Sequence, residues 1–396
     1  MRLFAPLLAL ALVCAAHRMA VAQFDFHARS LLPASRLSIQ LSGIGTPQRL
    51  ALVGQGRIEN GYYLIPSSAR PGISTLVAAG SGALAVRTVR IGTPPRAPLI
   101  AVASYDDGIV FHDPRTFAQR GTLATGGSPS DVVATSDGFA VTDTDGTDLT
   151  LVSVEPWNSS EVPDVALGDE LVADPPLHAI FVTERGGGAR GGVARVEPGG
   201  VVHVATGTAE GVALDARRER IYVADTDLGD VAVVDARTLR VTERVSGIPR
   251  AFSLALSTDG TLLYAVSNQG RQTMFDEPGF VTEIALYPRP RVVARSAELA
   301  FPVGIALDAR RSRLFITDEQ TDAVDVLNAR TLRTAQSPLR TCTIPWKPLL
   351  DPRDDRLFIP CAGSDEVDVF DMQTLSRVRG APFRTGGYPL AVAVQR

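Results

Sequence analysis

The chain has 396 residues, with 39 Lys and Arg against 43 Asp and Glu, and its formal net charge is −4. A slightly acidic chain is poorly suited to neutralising phosphates, so nucleic acid and anionic membrane surfaces are excluded as expected partners. The length allows more than one hydrophobic core.

Residues 1–22 are predicted to be a secretory signal peptide rather than part of the fold. Arg2 gives a positive start, residues 3–16 are apolar, and residues 20–22 are small, as a cleavage site requires. The apolar run is too short to span a membrane, and no other long apolar run follows it. A lipoprotein site at Cys14 is the weaker alternative, because Val13 is large for the preceding position. We therefore expect a periplasmic or extracellular protein without a transmembrane segment.

Residues 23–97 are predicted to form a small β-sandwich-like domain and a linker. Short apolar runs separated by Gly, Pro and Ser are typical of strands. These runs lie at 37–41, 50–53, 62–65, 73–79 and 83–91. They miss the spacing of the repeats that follow, which favours a separate domain, and GTPPRAP at 92–98 is the predicted linker. The alternative is that these strands wrap around the next domain.

Residues 98–396 contain seven related units. An aromatic or apolar residue near the start of each second predicted strand recurs with a period of about 42 residues, with one longer step. These residues are Ile100, Ala140, Phe181, Tyr222, Tyr264, Phe315 and Phe358. A turn at the end of the third strand also recurs, as HDPRTF at 112–117, VDARTL at 234–239, LNARTL at 327–332 and FDMQTL at 370–375. Four short strands per unit predict an all-β fold, a seven-bladed β-propeller.

The two ends of the propeller are predicted to complete one blade together. Residues 388–396 read as a first strand with no second strand after it. Residues 98–127 read as second, third and fourth strands without a first. Joining them closes the ring and leaves no unpaired edge between its first and last blades.

The repeat IYVADTDLGDVAVVDARTL at 221–239 resembles the YVTN-repeat (YncE-like) propellers of bacteria, and NHL-repeat propellers are a second match. The resemblance covers 98–396 and departs at the end of the second strand, where that family usually has Asn. The residues there are Ala103, Asp143, Glu184, Asp225, Ser267, Asp318 and Cys361. The resemblance implies a fold but not one function, since similar rings serve as binding scaffolds, lactonases and dehydrogenase partners.

Cys342 and Cys361 flank the first two strands of the last blade. In an exported protein they are a candidate disulfide, with two buried thiols as the alternative. Simple register counting places Cys361 opposite Trp346, so a bond requires the loop before the strand to fold back.

The starts of the inner strands, at the mouth of the central channel, are the predicted ligand site. The candidate residues there are Asp131, Asp169, Glu170, Glu210, Trp346 and Lys347. Converging carboxylates could coordinate Ca²⁺ or another divalent cation, or bind a cationic or sugar-like ligand beside Trp346. The alternative is structural, with the carboxylates paired to Arg250, Lys347 or Arg185. A loop insertion at 268–280 adds a possible lid in Met274 and Phe275.

Familiar catalytic motifs are missing from the sequence, including GxSxG, HExxH, CxxC and the P-loop. The leading hypothesis is therefore an exported, non-catalytic scaffold that binds a small ligand or a protein at its acidic channel-mouth face. One alternative is a metal-dependent, lactonase-like hydrolase that uses Asp131, Asp169, Glu170 and Glu210. Family resemblance alone suggests another, an accessory subunit of a periplasmic quinoprotein or haem dehydrogenase.

Overall fold

A computed structural model of the chain describes residues 20–21, 23–24, 30–42, 49–80, 83–186, 191–269 and 277–396. Most of the predicted signal peptide and the candidate lid residues Met274 and Phe275 lie outside these ranges. Every regular element within them is a β-strand. In the described part of the chain we find no helix long and apolar enough to cross a membrane.

The chain divides into two compact units. Among the described residues, the first comprises those up to Pro95 together with Gly121–Gly126, and the second comprises those in Arg96–Arg120 and Gly127–Arg396. The boundary predicted from the sequence, at residue 98, places 121–126 with the repeats alone. Backbone hydrogen bonds explain the difference, since the Leu32 N–H donates to the Thr122 carbonyl at 2.7 Å and the Arg36 N–H donates to the Ala124 carbonyl at 2.8 Å.

The first unit is built from short strands around one core. Its strands are β1 (Ala20–Val21), β2 (Gln23–Phe24), β3 (Ser30–Leu31), β4 (Arg36–Ser38), β5 (Leu41–Ser42), β6 (Arg49–Val53), β7 (Arg57–Glu59), β8 (Tyr62–Leu64), β9 (Gly72–Gly80) and β10 (Ala83–Ile91). All five predicted runs overlap strands. These strands form sheets of five, three and two strands, with Leu31, Tyr63 and Leu76 fully buried between them.

The repeats form seven four-stranded sheets, which belong to the second unit except for residues 121–123 of the first blade. Blade 1 has β11 (Leu99–Ser104), β12 (Gly108–His112) and β13 (Gln119–Leu123). Blade 2 has β14 (Pro129–Ala134), β15 (Gly138–Asp143), β16 (Asp148–Val154) and β17 (Trp157–Pro163). Blade 3 has β18 (Gly168–Asp174), β19 (Ala179–Arg185), β20 (Gly191–Glu197) and β21 (Gly200–Ala205). Blade 4 has β22 (Ala209–Asp215), β23 (Arg220–Asp225), β24 (Asp230–Asp235) and β25 (Val241–Ser246).

The remaining blades follow the same order. Blade 5 has β26 (Ala251–Leu256), β27 (Leu262–Ser267), β28 (Phe280–Ala285) and β29 (Arg291–Arg295). Blade 6 has β30 (Pro302–Asp308), β31 (Arg313–Asp318), β32 (Ala323–Asn328) and β33 (Leu339–Arg340). Blade 7 has β34 (Leu349–Asp351), β35 (Arg356–Cys361), β36 (Glu366–Asp371) and β37 (Phe383–Arg384). The chain then returns to blade 1 as β38 (Pro389–Gln395).

The predicted closure of the ring is confirmed. β38 pairs antiparallel with β11, with Leu99 opposite Gln395 and Val102 opposite Val392. The inner strands follow one another around the ring as β38, β14, β18, β22, β26, β30 and β34, and β34 contacts β38 again. The seven-bladed, all-β architecture predicted from the repeats is therefore present.

The recurrent turn motif has a physical cause. Asp235 Oδ1 accepts the Arg237 N–H at 3.1 Å, the Thr238 N–H at 2.7 Å and the Thr238 hydroxyl at 2.8 Å. Asp113, Asn328 and Asp371 make the same contacts in their own blades. The last motif residue is left-handed, as in Leu239 with φ 49°. The motif recurs because short Asp or Asn side chains cap such turns.

Candidate functional site

A bulge marks the start of most inner strands. The register against the second strand shifts between Pro129 and Asp131, between Gly168 and Leu171, and between Ala209 and Val212. Similar shifts occur at the starts of β26, β30 and β38. Bulges interrupt the regular alternation of side chains and re-aim them, and they are frequent beside functional sites. Three of them occur where the sequence predicted Asp131, Asp169, Glu170 and Glu210 at the mouth.

Lys347 brings together blades that are not neighbours in the ring. It lies two residues before β34 of blade 7, and its Nζ is 2.6 Å from Asp131 Oδ2 of blade 2 and 3.4 Å from Glu170 Oε2 of blade 3. Blade 1 separates blades 7 and 2, so the Lys347 side chain crosses the end of the channel. It is the only lysine in the chain.

Arg185 joins the other two predicted carboxylates. Its Nη2 is 2.8 Å from Asp169 Oδ1, and its Nε is 2.8 Å from Glu210 Oε2. From the sequence, Arg185 is expected only as a structural partner of the carboxylates. We call Asp131, Asp169, Glu170, Glu210, Arg185 and Lys347 the mouth cluster. It contains four carboxylates and two cations.

Backbone groups hold two of the carboxylates in place independently of the cations. Asp131 Oδ2 accepts the Leu171 N–H at 3.0 Å, and Glu170 Oε2 accepts the Val212 N–H at 3.2 Å. Each bond reaches from the carboxylate of one blade to the inner strand of the next. The carboxylates are therefore preorganised by the fold and not only by their ion pairs.

Two threonines that sequence reasoning missed support the same inner strands. The Thr142 hydroxyl donates to the Asp169 carbonyl at 3.2 Å, and the Thr183 hydroxyl donates to the Glu210 carbonyl at 2.6 Å. Thr183 Oγ1 also accepts the Glu170 N–H at 2.9 Å. Both threonines lie near the end of the second strand of their blade. This shared position in adjacent repeats is the sequence feature from which their role could have been predicted.

The mouth is not the acidic face that the sequence predicted, because its cationic side chains are more exposed to solvent than its carboxylates. The Lys347 and Arg185 side chains are 30% and 34% exposed, whereas those of Asp131 and Asp169 are 4% and 11% exposed. Carboxylates taken out of water need cationic or N–H partners, which explains the arrangement. Four carboxylates against two cations nevertheless leave excess negative charge when all are ionised.

The pKa values reflect this crowding. Burial and the neighbouring Glu210 raise the pKa of Asp169 well above its ordinary value, although Arg185 acts against the shift. Burial raises the pKa of Glu170 to about 7, with Lys347 lowering it and Asp131 raising it again. Burial acts to lower the pKa of Lys347, but Asp131 and Glu170 outweigh burial and raise it. Lys347 is thus a cation at neutral pH, and Glu170 titrates there.

Trp346 gives the mouth an aromatic side. Its ring meets Phe252 of blade 5 edge-on, with centroids 6.3 Å apart and an interplanar angle of 86°. Its backbone N–H donates to the Pro360 carbonyl at 2.8 Å. The backbone of Trp346 is therefore hydrogen-bonded to β35, and its ring contacts blade 5. The aromatic surface and the Lys347 ammonium come from adjacent residues of one segment.

Cys342 and Cys361 are joined by a disulfide, with Cα atoms 5.7 Å apart. The loop before β34 folds back as the pairing requires, since Pro345 makes a bridge with Cys361 and the Ala362 N–H donates to the Ile344 carbonyl at 2.9 Å. The disulfide closes the base of the segment that carries Trp346 and Lys347.

The mouth cluster does not fit a Ca²⁺ site. No group of three or more His, Cys, Asp or Glu side chains that could hold a metal ion occurs within the ranges the structure describes. All four mouth carboxylates already face the ammonium or guanidinium group of Lys347 or Arg185. A hard dication requires several oxygen ligands free to converge on it, which these pairs oppose.

Comparison with known proteins shows the fold. No protein-family profile matches the chain, and no curated protein sequence matches it. The periplasmic gluconolactonase of Pseudomonas aeruginosa is a similar solved structure, with TM-score 0.62, 15% identity, and coverage of 76% of this chain and 99% of that one. Kuenenia stuttgartiensis hydrazine synthase has TM-score 0.59, 16% identity, and coverage of 75% and 92%. A functionally unknown Desulfotomaculum acetoxidans protein has TM-score 0.60, 15% identity, and coverage of 75% and 99%. By fold, the chain is a β-propeller.

Proposed function

We propose that the chain is an exported, non-catalytic β-propeller that binds a small ligand or a protein partner at the mouth cluster. The observation that carries this proposal is the convergence of charged side chains from blades 2, 3, 4 and 7 at one end of the channel. Arg311 and Asp355 at the opposite ends of the strands join neighbouring blades, as Arg185 and Glu210 do at the mouth. Lys347 instead reaches across the ring to Asp131 and Glu170.

The excess of carboxylates favours a ligand that brings positive charge or hydroxyl donors. The raised pKa values of Asp169 and Glu170 mean that these carboxyl groups hold protons more tightly than usual. A ligand with positive charge or hydroxyl donors would take the place of those protons. Trp346 and Phe252 supply the apolar surface that ligand sites combine with a few polar groups. We also propose that the repeats are of the YVTN class. The support for this is the recurrent turn in which Asp or Asn is followed three residues later by Thr.

Export is part of the same proposal. The disulfide between Cys342 and Cys361 suits an oxidising compartment. The predicted signal sequence at 1–22 points the same way. The periplasmic location of a similar gluconolactonase supports it further.

Lactone hydrolysis is the second candidate function. A carboxyl with a pKa of about 7, as in Glu170, is suited to general acid or base catalysis at neutral pH. The structural similarity to a gluconolactonase also supports lactone hydrolysis. A metal-dependent mechanism is less well supported, because the mouth cluster does not suit a metal ion. The accessory-subunit idea is supported only by the fold shared with a hydrazine synthase.

Thermal-shift titration of the full chain tests binding. The probes are putrescine, gluconolactone and calcium chloride, each applied to the wild type, Glu210→Ala and Glu243→Ala. Glu243 lies on β25, the outer strand of the same blade, and is the matched control. We expect putrescine to raise the melting temperature of the wild type and Glu243→Ala as RT ln(1 + [L]/Kd), and not that of Glu210→Ala.

Two outcomes would contradict the proposal. Equal stabilisation of all three proteins by putrescine would place binding away from the mouth. Turnover of gluconolactone that Glu170→Gln abolishes would replace the non-catalytic proposal with the hydrolase.

A further inference from the structure

Residues 343–348, which we call the mouth strap, connect the disulfide to β34. The strap runs beside the end of β35, where the Gly363 N–H donates to the Thr343 carbonyl at 3.0 Å and the Trp346 N–H donates to the Pro360 carbonyl at 2.8 Å. The Cys342–Cys361 bond joins the same two stretches of chain. The strap ends in the Lys347 ammonium over Asp131 and Glu170.

The strap is held in a strained backbone conformation. Ile344 has φ 54°, in the left-handed region. Among the described non-glycine residues with positive φ, it is the only β-branched one. Left-handed backbone crowds a branched side chain, so the conformation persists only where its surroundings impose it. The Asp322 carboxylate accepts the Ile344 N–H at 2.9 Å and contributes to that restraint.

The same backbone conformation recurs at other inner-strand starts without a disulfide. Leu167, Arg250 and Tyr388 have φ of 53°, 50° and 53°. They stand two residues before Asp169 of blade 3, Phe252 of blade 5 and Leu390 of blade 1, as Ile344 stands two residues before Trp346 of blade 7. None of them is β-branched. Of these four blades, only blade 7 has a β-branched residue, Ile344, at this position, and only there does a disulfide restrain the backbone. This combination indicates that the Cys342–Cys361 bond offsets the strain at Ile344.

We propose that the Cys342–Cys361 disulfide is a redox-controlled latch that keeps the mouth strap closed over the carboxylates. A dithiol reductant attacks the Cys342 sulfur, which is partly exposed, and the buried Cys361 sulfur leaves as a thiolate and takes up a proton. One S–S bond breaks, two thiols form, and the reductant becomes a disulfide. Ile344 then relaxes out of the left-handed region and withdraws Lys347.

Opening would change the charge that the mouth presents. Without the Lys347 ammonium, Asp131 and Glu170 keep their N–H donors from Leu171 and Val212 but lose their cation. The open mouth would therefore bind a small organic cation more tightly than the closed mouth does. This ligand class rests on the proposed function, whereas the opening of the strap does not.

Because Lys347 is the only lysine, opening of the mouth strap can be measured by the rate at which its amine is labelled, without any ligand. N-hydroxysuccinimidyl acetate acylates amines, so in this chain it labels the Lys347 Nζ and the α-amine, and the α-amine serves as an internal rate reference. We expect reduction of the full chain to raise the Lys347 labelling rate by about tenfold, corresponding to a loss of ~1.4 kcal/mol in strap closure. The double variant Cys342→Ser/Cys361→Ser should label at the same fast rate without reductant.

Variants at Ile344 separate the latch from a general loosening of the protein. Glycine accepts φ 54° without strain, so reduced Ile344→Gly should label as slowly as the oxidised wild type. Tyr388→Gly is the matched control, because Tyr388 has the same φ and lies outside the strap. It should label fast after reduction, as the wild type does.

Equal Lys347 labelling rates in the oxidised and reduced wild type would overturn the latch. Fast labelling of reduced Ile344→Gly would overturn the role of strain in it. Putrescine titration of both redox forms then tests the ligand class. A redox-dependent labelling rate with no binding in either form would retain the latch and reject the proposed function.

Discussion

Ending the chain at Tyr388 is expected to abolish cooperative unfolding of the propeller. The deletion removes β38, whose Leu390, Ala391, Val392 and Ala393 are buried. Burial of a larger apolar side chain stabilises by about 1.5–3 kcal/mol, so Leu390 and Val392 alone contribute about 3–6 kcal/mol, which is comparable with the lower end of the ~5–15 kcal/mol typical of a domain. The truncated protein also exposes the unpaired edge of β11, which favours aggregation. Calorimetry and near-UV circular dichroism of the truncated and full chains measure the effect.

Arg396→Ala is the matched control for the deletion. Arg396 lies just beyond β38 and pairs with Asp351 and Asp354 through a side chain that is 28% exposed. Ion pairs near the surface contribute about 0–1 kcal/mol, so this variant should retain the cooperative transition. A truncated chain that unfolds at the wild-type temperature would mean that β38 does not close the ring.

Lys347→Met is expected to destabilise the folded chain at pH 8 and at pH 5, and more strongly at pH 8. Removing one partner of a buried ion pair costs about 3–5 kcal/mol, and the partial exposure of Lys347 places the expected loss near the lower limit. The pKa of Lys347 is raised, so its own pairing is fully present at both pH values and is lost only at strongly alkaline pH.

Glu170 supplies the pH dependence of this variant. Its pKa in the folded chain, about 7, lies above that of an unfolded glutamate. The folded state therefore binds this proton more tightly, and stability falls as the pH rises from about 4.5 to about 7. At pH 5 Glu170 is protonated and uncharged, so loss of the Lys347 ammonium destabilises the folded chain less than it does at pH 8. Denaturant unfolding at both pH values measures the difference.

Lys347→Arg is the control for charge, and it should retain more stability at pH 8 than Lys347→Met. Equal losses in Lys347→Met at pH 5 and pH 8 would contradict the electrostatic account. A Lys347→Arg variant no more stable than Lys347→Met would contradict it as well.

The sequence predicted the propeller well because a repeated unit supplies many independent signals. The turn at 234–239 and its copies identify a third strand in several blades, and their spacing identifies the rest. The incomplete unit at 98–127 and the extra strand at 388–396 made the closure predictable, since a first strand was missing at one end and in excess at the other. The first unit lacked such repetition, so its extra strands and the inclusion of Gly121–Gly126 could not be predicted.

The candidate site was predicted as a set of positions but not as a network. Alignment of the inner-strand starts placed Asp131, Glu170 and Lys347 at the same end of the channel. It could not show that Lys347 crosses to blades 2 and 3, because that contact joins residues 216 positions apart. The outward placement of the cations also depends on how the bulges re-aim the carboxylates, which no local pattern encodes.

The cross-channel contact of Lys347 is the claim to test most directly. Reductive methylation with ¹³C-formaldehyde labels Lys347, the only lysine, and the α-amine. The Lys347 methyl signal, assigned by its loss in Lys347→Arg, can be followed by NMR between pH 5 and pH 9. The account predicts a shift of this signal with a midpoint near pH 7, where Glu170 ionises, and no such step in Glu170→Gln. A Lys347 signal without a step near pH 7 in the wild type, or with the same step in Glu170→Gln, would contradict it.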